Sequence, residues 1–156
     1  MLSTQCAFRF AVFMIFLTSL SVRADPVDPI STGVQLAQID FSVVNNRLVE
    51  KCNNAFPETV PALVDAIAQW NSKNADALKE LRQMNIDTLM KVLHLSAADA
   101  AIRAKQQSAF LTEGLKRQFD SVYGDQLKDA CAGQYASKSL QDPSLDFRLL
   151  LTKIKK

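Results

Sequence analysis

The sequence predicts an all-α protein, a small bundle of four or five helices closed by one disulfide. The 156 residues contain only four glycines and five prolines, so residues that break helices are rare. Between the prolines the chain is rich in Ala, Leu, Gln and Lys, which are good helix formers. Apolar residues recur at steps of three and four, the period of a helix with one buried face. Together these three observations predict the fold class.

The first predicted helix spans Val34 to Asn53. Its apolar residues recur at helical spacing towards Cys52. Pro57 follows and ends it, because proline disfavours helical backbone in the residue before it. A second helix is predicted to begin near Pro57 or Pro61, since proline suits the first turn of a helix.

The segments 57–71 and 74–93 each carry an apolar stripe, and a short polar interval separates them. Asn74 suits the N-cap of the second segment, because an asparagine side chain accepts hydrogen bonds from the first N–H groups of a helix. One long helix explains the pattern equally well. The sequence therefore leaves open whether these segments form one helix or two.

A clear break is predicted from His94 to Ser96. Ser96 and Asp99 have the spacing of a capping box, in which a hydroxyl and an acid three residues later satisfy exposed N–H groups. The next predicted helix runs from Ala97 to Val122. Its predicted buried seam consists of Ala98, Ile102, Ala109, Leu115, Phe119 and Val122.

A last main helix is predicted after Gly124 and Asp125, and it extends to about Leu140. Four-residue steps place three of its residues on one face, namely Leu127, Cys131 and Tyr135. A short amphipathic segment follows Pro143. Its apolar face holds Phe147, Leu150, Leu151 and Ile154.

Residues 1–24 have the order of a secretory signal peptide. Arg9 precedes the apolar run Phe10–Leu17, and small or medium side chains lead up to a cleavage site at Ala24. The run is about half of the roughly 20 residues that a membrane-spanning helix needs. We therefore expect cleavage after Ala24 and a single helical domain formed by residues 25–156.

The cysteines predict one disulfide. Removal of the signal peptide removes Cys6 and leaves Cys52 and Cys131. A single pair in an exported protein is most simply a disulfide. It closes a loop of about 80 residues, for which the loss of chain entropy predicts roughly 4–5 kcal/mol of stabilisation. The alternative is two reduced thiols packed as small apolar side chains.

The charges of the expected mature chain cancel. Arg9 and Arg23 account for two of the 18 Lys and Arg residues, which leaves 16 to balance 16 Asp and Glu. A neutral chain with interspersed charges gives no electrostatic reason to expect nucleic-acid binding. No Asn-X-Ser/Thr acceptor for N-glycosylation occurs. The absence of that motif favours a bacterial periplasmic or secreted protein.

No catalytic or metal-binding constellation is predicted. His94 is the sole histidine, so neither a Cys–His pair nor a zinc site can be assembled around it. Its position at a predicted helix C-terminus suits a structural role, because a cation there interacts favourably with the helix dipole. The chain has no G-x-S-x-G, Gly-rich phosphate loop or H-E-x-x-H motif. We predict a protein that is not an enzyme and needs no cofactor.

Trp70, the only tryptophan, is predicted at the edge of the core, with a contact to a partner protein as the alternative. The lysines of the C-terminal segment are expected to be solvated and not bound to a membrane. We expect an exported helical binding protein whose partner is another protein, in the periplasm or outside the cell. The alternative function is carriage of a small apolar ligand in the bundle core.

Overall fold

A computed structural model describes residues 29–132 and 143–156. The described residues form helices and no strands, so the predicted all-α bundle is confirmed. Single 3₁₀ turns at Pro57–Thr59 and Pro143–Leu145 precede the third and sixth helices. The six α-helices of these ranges are α1 Pro29–Leu36, α2 Phe41–Ala55, α3 Val60–Leu93, α4 Ala97–Asp120, α5 Gly124–Cys131 and α6 Phe147–Ile154.

The single helix predicted from Val34 to Asn53 is wrong, because the structure breaks it into α1 and α2. Asp40 caps the N-terminus of α2 with its side chain. Arg82 of α3 donates hydrogen bonds to the carbonyl oxygens of Ala37, at 3.0 Å, and Ile39, at 2.7 Å. The break is therefore stabilised from a distant part of the chain, where no local sequence signal reports it.

The structure resolves the ambiguity after Pro57 in favour of one helix, α3, of 34 residues. Asn74 is fully buried inside it and is not an N-cap. Its Nδ2 donates to the Trp70 carbonyl oxygen at 3.1 Å, and its Oδ1 accepts from the Phe147 N–H at 2.9 Å. The polar interval in the sequence marks the position where α6 docks on α3.

The later helices begin at or near the predicted residues, at Ala97 and Gly124. The Ser96 hydroxyl accepts from the Asp99 N–H at 3.2 Å, as a cap of α4 should. α5 begins at Gly124, whose φ of 55° suits glycine. The helix predicted to extend to about Leu140 is wrong at its end, because α5 stops at Cys131 with Ala132 as its C-cap. Tyr135 and the predicted signal peptide lie outside the described residues. None of the described helices is both long and apolar enough to cross a membrane.

Two apolar clusters form the core. The first surrounds the predicted disulfide, which is confirmed: Cys52 and Cys131 are bonded, with their Cα atoms 5.4 Å apart. Both cysteines are at most 1% exposed, and they pack with residues of α2, α3, α4 and α5. The second cluster joins α1, α3 and α6 around Trp70, Leu81 and Phe147. The disulfide thus links α2 to α5, and α6 is held by packing on α3.

Candidate interaction surface

Consecutive helices α3 and α4 pack as an antiparallel hairpin, whose end extends beyond the other described helices. Lys155, just after α6, pairs with Glu80 at 2.6 Å. Asn85 donates to the side chain of Gln38, in the turn between α1 and α2, at 3.3 Å. Beyond Asn85, α3 continues for eight residues to Leu93, which is about 12 Å. We call residues 86–104 the hairpin tip.

The turn of the hairpin tip is built by residues 94–96. His94 ends α3 in the left-handed region, with φ 54° and ψ 35°. A left-handed residue commonly ends a helix, and histidine adopts this conformation more often than most residues other than glycine. Ser96 then caps α4. The break predicted from the sequence is confirmed, and local interactions determine the geometry of the turn.

Large aliphatic side chains of the hairpin tip are exposed. Val92 is 65% exposed, Leu93 51% and Ile102 57%. Val92 follows Leu81 by 11 residues, or about three helical turns, so both residues lie on the same face of α3. Leu81 is fully buried. Val92 therefore continues the core-facing stripe beyond the level at which α6 and the α1–α2 turn contact α3.

The predicted buried seam of α4 is wrong at Ala98, Ile102 and Ala109, which are exposed. The buried residues of α4 at the hairpin tip are Ala100, which is 0% exposed, and Ala104, which is 8% exposed. Residues four apart share a helix face, and a residue two positions from each lies on the opposite side. Ile102, predicted to face inward, is therefore turned outward. Leu93, the last residue of the apolar stripe predicted for segment 74–93, is half exposed because it lies at the end of α3.

The charges of the hairpin tip cancel. Asp87 and Lys91 lie on α3, and Asp99 and Arg103 lie on α4. All four side chains are exposed. With His94 neutral, residues 86–104 carry a formal charge of zero. The surface therefore combines apolar and charged groups without an excess of either sign.

A groove of about 490 Å³ lies along the outer face of α4. Phe110 at its side is 68% exposed. Hydrogen bonds from Arg117 and then Lys116 hold the pKa of Glu113 below its usual value. The described residues that line the groove are Phe110, Glu113, Gly114, Arg117, Gln118 and Ser121. These described lining residues belong to α4 and its C-cap.

Trp70 lies in the core and away from the hairpin tip. Its ring centroid is 4.8 Å from that of Phe41 and 6.0 Å from that of Phe147, both in edge-to-face geometry. Its Nε1 donates to the Leu145 carbonyl oxygen at 3.1 Å. The residue is 3% exposed. This is the core position that the sequence favoured for Trp70.

The other residues singled out from the sequence lie apart from one another. The Cys52–Cys131 disulfide packs with Leu63, near the start of α3, and so lies at the opposite end of the hairpin from His94. His94 is exposed at the hairpin tip. No group of three or more His, Cys, Asp or Glu residues that could hold a metal ion occurs in residues 29–132 and 143–156.

The sequence missed the hairpin tip because its apolar residues continue the stripes that are buried elsewhere in α3 and α4. Periodicity identifies the face of a helix but does not show where the neighbouring helices end. No protein-family model, curated protein or solved structure matches this chain. Its function has therefore to be inferred from its own surface.

Proposed function

We propose that the chain is an exported, non-enzymatic binding protein whose partner is another protein, bound at the hairpin tip. The observation that carries the proposal is the exposure of Val92, Leu93 and Ile102, each more than half exposed at one end of the molecule. Contiguous exposed apolar side chains are typical of interaction sites. Burial of each of these three side chains in an interface would contribute about 1–2 kcal/mol to the free energy of binding.

The charge of the hairpin tip supports a protein partner over a nucleic acid or a membrane. Nucleic-acid binding depends on an excess of Lys and Arg that neutralises phosphates. Binding to an anionic membrane surface also requires a basic face. Asp87 and Asp99 offset Lys91 and Arg103 at the tip, so neither kind of partner gains a net attraction there.

Export is supported by the disulfide together with the order of residues 1–24. A disulfide persists in the periplasm or outside the cell, whereas the cytosol keeps thiols reduced. The Cys52–Cys131 bond is buried in the first core cluster, where it contributes to the packing of four helices. The lack of an N-glycosylation acceptor motif favours a bacterial source.

The alternative function is carriage of a small apolar ligand in the bundle core. Such a carrier needs an enclosed cavity between facing helices, lined by apolar side chains. The groove beside Phe110 lies on the outside of α4. Among the described residues, the lining of this groove comes from α4 and its C-cap, whereas a carrier needs a second helix that faces the first.

The proposal is tested by capture of partners in the native export compartment with matched variants. Val92→Glu/Ile102→Glu places charges on the two most exposed aliphatic residues of the hairpin tip. Val64→Glu is the control, because Val64 is 44% exposed on the same helix α3 but far from the tip. We expect the wild type and the control to be cross-linked to the same protein, and the tip variant to lose it.

Circular dichroism of all three proteins should show the same helix content, which separates loss of binding from loss of folding. Retention of the same captured protein by a folded tip variant would exclude the hairpin tip as the binding surface. Capture of no protein by the wild type would contradict the proposed function itself.

A further inference from the structure

We propose that Cys131 is the cysteine that reacts first with a disulfide donor when the Cys52–Cys131 bond forms, and that Cys52 then completes the bond. The two cysteines differ in how their helices are held. The helix that carries Cys131, α5, depends on the bond for its position, whereas α2, which carries Cys52, is fixed by other contacts. This order of reaction does not depend on what the hairpin tip binds.

The short helix α5 depends on the disulfide for its position. It has eight residues, and a helix of that length is unstable in water by itself. Its buried side chains are Leu127, Ala130 and Cys131, and the other five residues are exposed. Among the described helices it packs chiefly on α2, to which the bond joins it. We therefore expect α5 to detach from α2 when the two cysteines are reduced.

The helix α2 stays in place without the bond, because polar contacts tie it to the end of α4. Arg47 pairs with Asp120 at 2.7 Å. Lys51 donates to the Phe119 carbonyl oxygen at 2.8 Å. Cys52 follows Lys51 and packs in the first core cluster with residues of α3 and α4 as well as with those of α5. Detachment of α5 therefore leaves Cys52 on a fixed helix beside α3 and α4.

This difference decides the order of thiol–disulfide exchange, because the attacking thiolate has to reach the disulfide. The thiolate of Cys131, on the detached α5, attacks one sulfur of the donor disulfide, and the other donor sulfur leaves as a thiolate. Cys131 and the donor are then joined by a mixed disulfide. Docking of α5 brings the Cys131 sulfur to Cys52, whose thiolate attacks it and releases the donor as a dithiol. Two electrons and two protons pass from the cysteines to the donor.

The folded state protects the finished bond. Cys52 is 0% exposed and Cys131 is 1% exposed, so a thiol in solution cannot reach either sulfur while α5 is docked. The released donor dithiol therefore cannot reverse the last step by attack on the folded protein. It follows that α5 takes its final position only in a compartment that supplies a disulfide, such as the periplasm or the medium outside the cell.

The test compares the alkylation rates of the two cysteines in the reduced wild type. The exported protein is reduced in denaturant, returned to native buffer with a phosphine reductant and pulsed with iodoacetamide, and mass spectrometry of its peptides gives a rate for each cysteine. We expect Cys131 to react at least about tenfold faster than Cys52, because a local opening of α5 uncovers Cys131 while α2 stays folded. In denaturant, which is the control, the two cysteines should react at similar rates.

Matched single variants test the exchange itself, with glutathione disulfide as the donor. Cys52→Ser keeps Cys131 and should form the mixed disulfide with glutathione rapidly. Cys131→Ser keeps Cys52 and should form it at least about tenfold more slowly, because its thiol stays on the folded α2. Circular dichroism checks that both variants are folded.

The inference is overturned if the two cysteines of the reduced wild type are alkylated at equal rates in native buffer, or if Cys52 is alkylated faster. Addition of glutathione at equal rates to the two folded variants, or faster addition to Cys131→Ser, would overturn it as well. The alkylation measurement needs no substitution, so it decides the order of reaction even where a variant fails to fold.

Discussion

Specific side chains hold the helix ends of this protein. Lys51 is the clearest case, because its ammonium group donates to three carbonyl oxygens at and just after the end of α4. They belong to Phe119 at 2.8 Å, Asp120 at 3.1 Å and Val122 at 2.8 Å. The same ammonium lies 4.5 Å from the centre of the Tyr123 ring. A cation is favourable at a helix C-terminus and over an aromatic face, so Lys51 fixes the end of α2 against the end of α4.

Asp146 has the corresponding role at the N-terminus of α6. Its carboxylate accepts hydrogen bonds from the N–H groups of Arg148 and Leu149, at 3.2 and 3.3 Å. It also pairs with Lys73 at 2.7 Å. Burial raises the pKa of Asp146, but the hydrogen bonds of Lys73, Arg148 and Leu149 outweigh burial and lower it to about 2. The charged form is therefore the one that the folded state stabilises.

This lowered pKa predicts a loss of stability in acid. Because the pKa of Asp146 is lower when folded than when unfolded, its contribution is complete above the unfolded value of about 4 and is lost as the pH falls towards 2. We expect the loss to be about 2 kcal/mol between about pH 5 and pH 2. Urea denaturation over this pH range measures it.

The variant Asp146→Asn isolates the charge, since asparagine is also a good N-cap. Its free energy of unfolding should be lower than that of the wild type at neutral pH, and the difference should shrink in acid. Asp76→Asn, at an exposed position of α3, is the control. It should change neither the free energy of unfolding at neutral pH nor the loss of stability in acid. Equal acid sensitivity in Asp146→Asn and the wild type would show that Asp146 does not contribute in this way.

The helices are joined by two different means. α6 docks on α3 through Asn74, whose side chain satisfies the Phe147 N–H and the Trp70 carbonyl oxygen together. α5 is short, with eight residues, and an isolated helix of that length is unstable in water. The disulfide from Cys131 to Cys52 ties it to α2.

Removal of the disulfide is therefore expected to destabilise the protein. The double variant Cys52→Ala/Cys131→Ala should lower the free energy of unfolding by roughly 2–5 kcal/mol, because the bond restricts a long loop of the unfolded chain. Chemical denaturation followed by circular dichroism measures this change. Thiol counting on the unfolded, unreduced mature protein should find none. Two reactive thiols, or a double variant as stable as the wild type, would contradict the role given to the bond.

The two ends of the whole molecule differ. At one end the first core cluster surrounds the disulfide and is covered by several helices. At the other end the hairpin tip extends beyond its neighbours and exposes Val92 and Ile102. The disulfide-linked core and the exposed aliphatic side chains therefore lie at opposite ends of the described part of the chain.

Export itself is predicted by residues 1–24. Mass spectrometry of the protein recovered from its native host should give a chain that begins at Asp25, because a signal peptidase cuts after a small residue such as Ala24. Replacement of Ala24 by arginine should block the cut and retain the precursor. Recovery of the mature soluble protein with Met1 still attached would contradict the prediction.

The sequence by itself determined the features that depend on neighbouring residues. The break at His94 to Ser96, the start of a helix at Gly124 and the amphipathic face of α6 all follow from local hydrogen bonding and backbone preference. The pairing of Cys52 with Cys131 followed by elimination, since removal of the predicted signal peptide would leave no other cysteine. These predictions needed no knowledge of how the helices pack.

Only the tertiary structure decided which apolar residues are buried and which are exposed. Leu81 and Val92 have the same position on one helix face, yet the first is fully buried and the second is 65% exposed. The difference arises because the described contacts of α6 and of the α1–α2 turn with α3 reach Glu80 and Asn85 but not Val92. Likewise Arg82 stabilises the break between α1 and α2 through contacts distant in sequence. Helical periodicity records the direction of a side chain, but burial depends on whether another element reaches it.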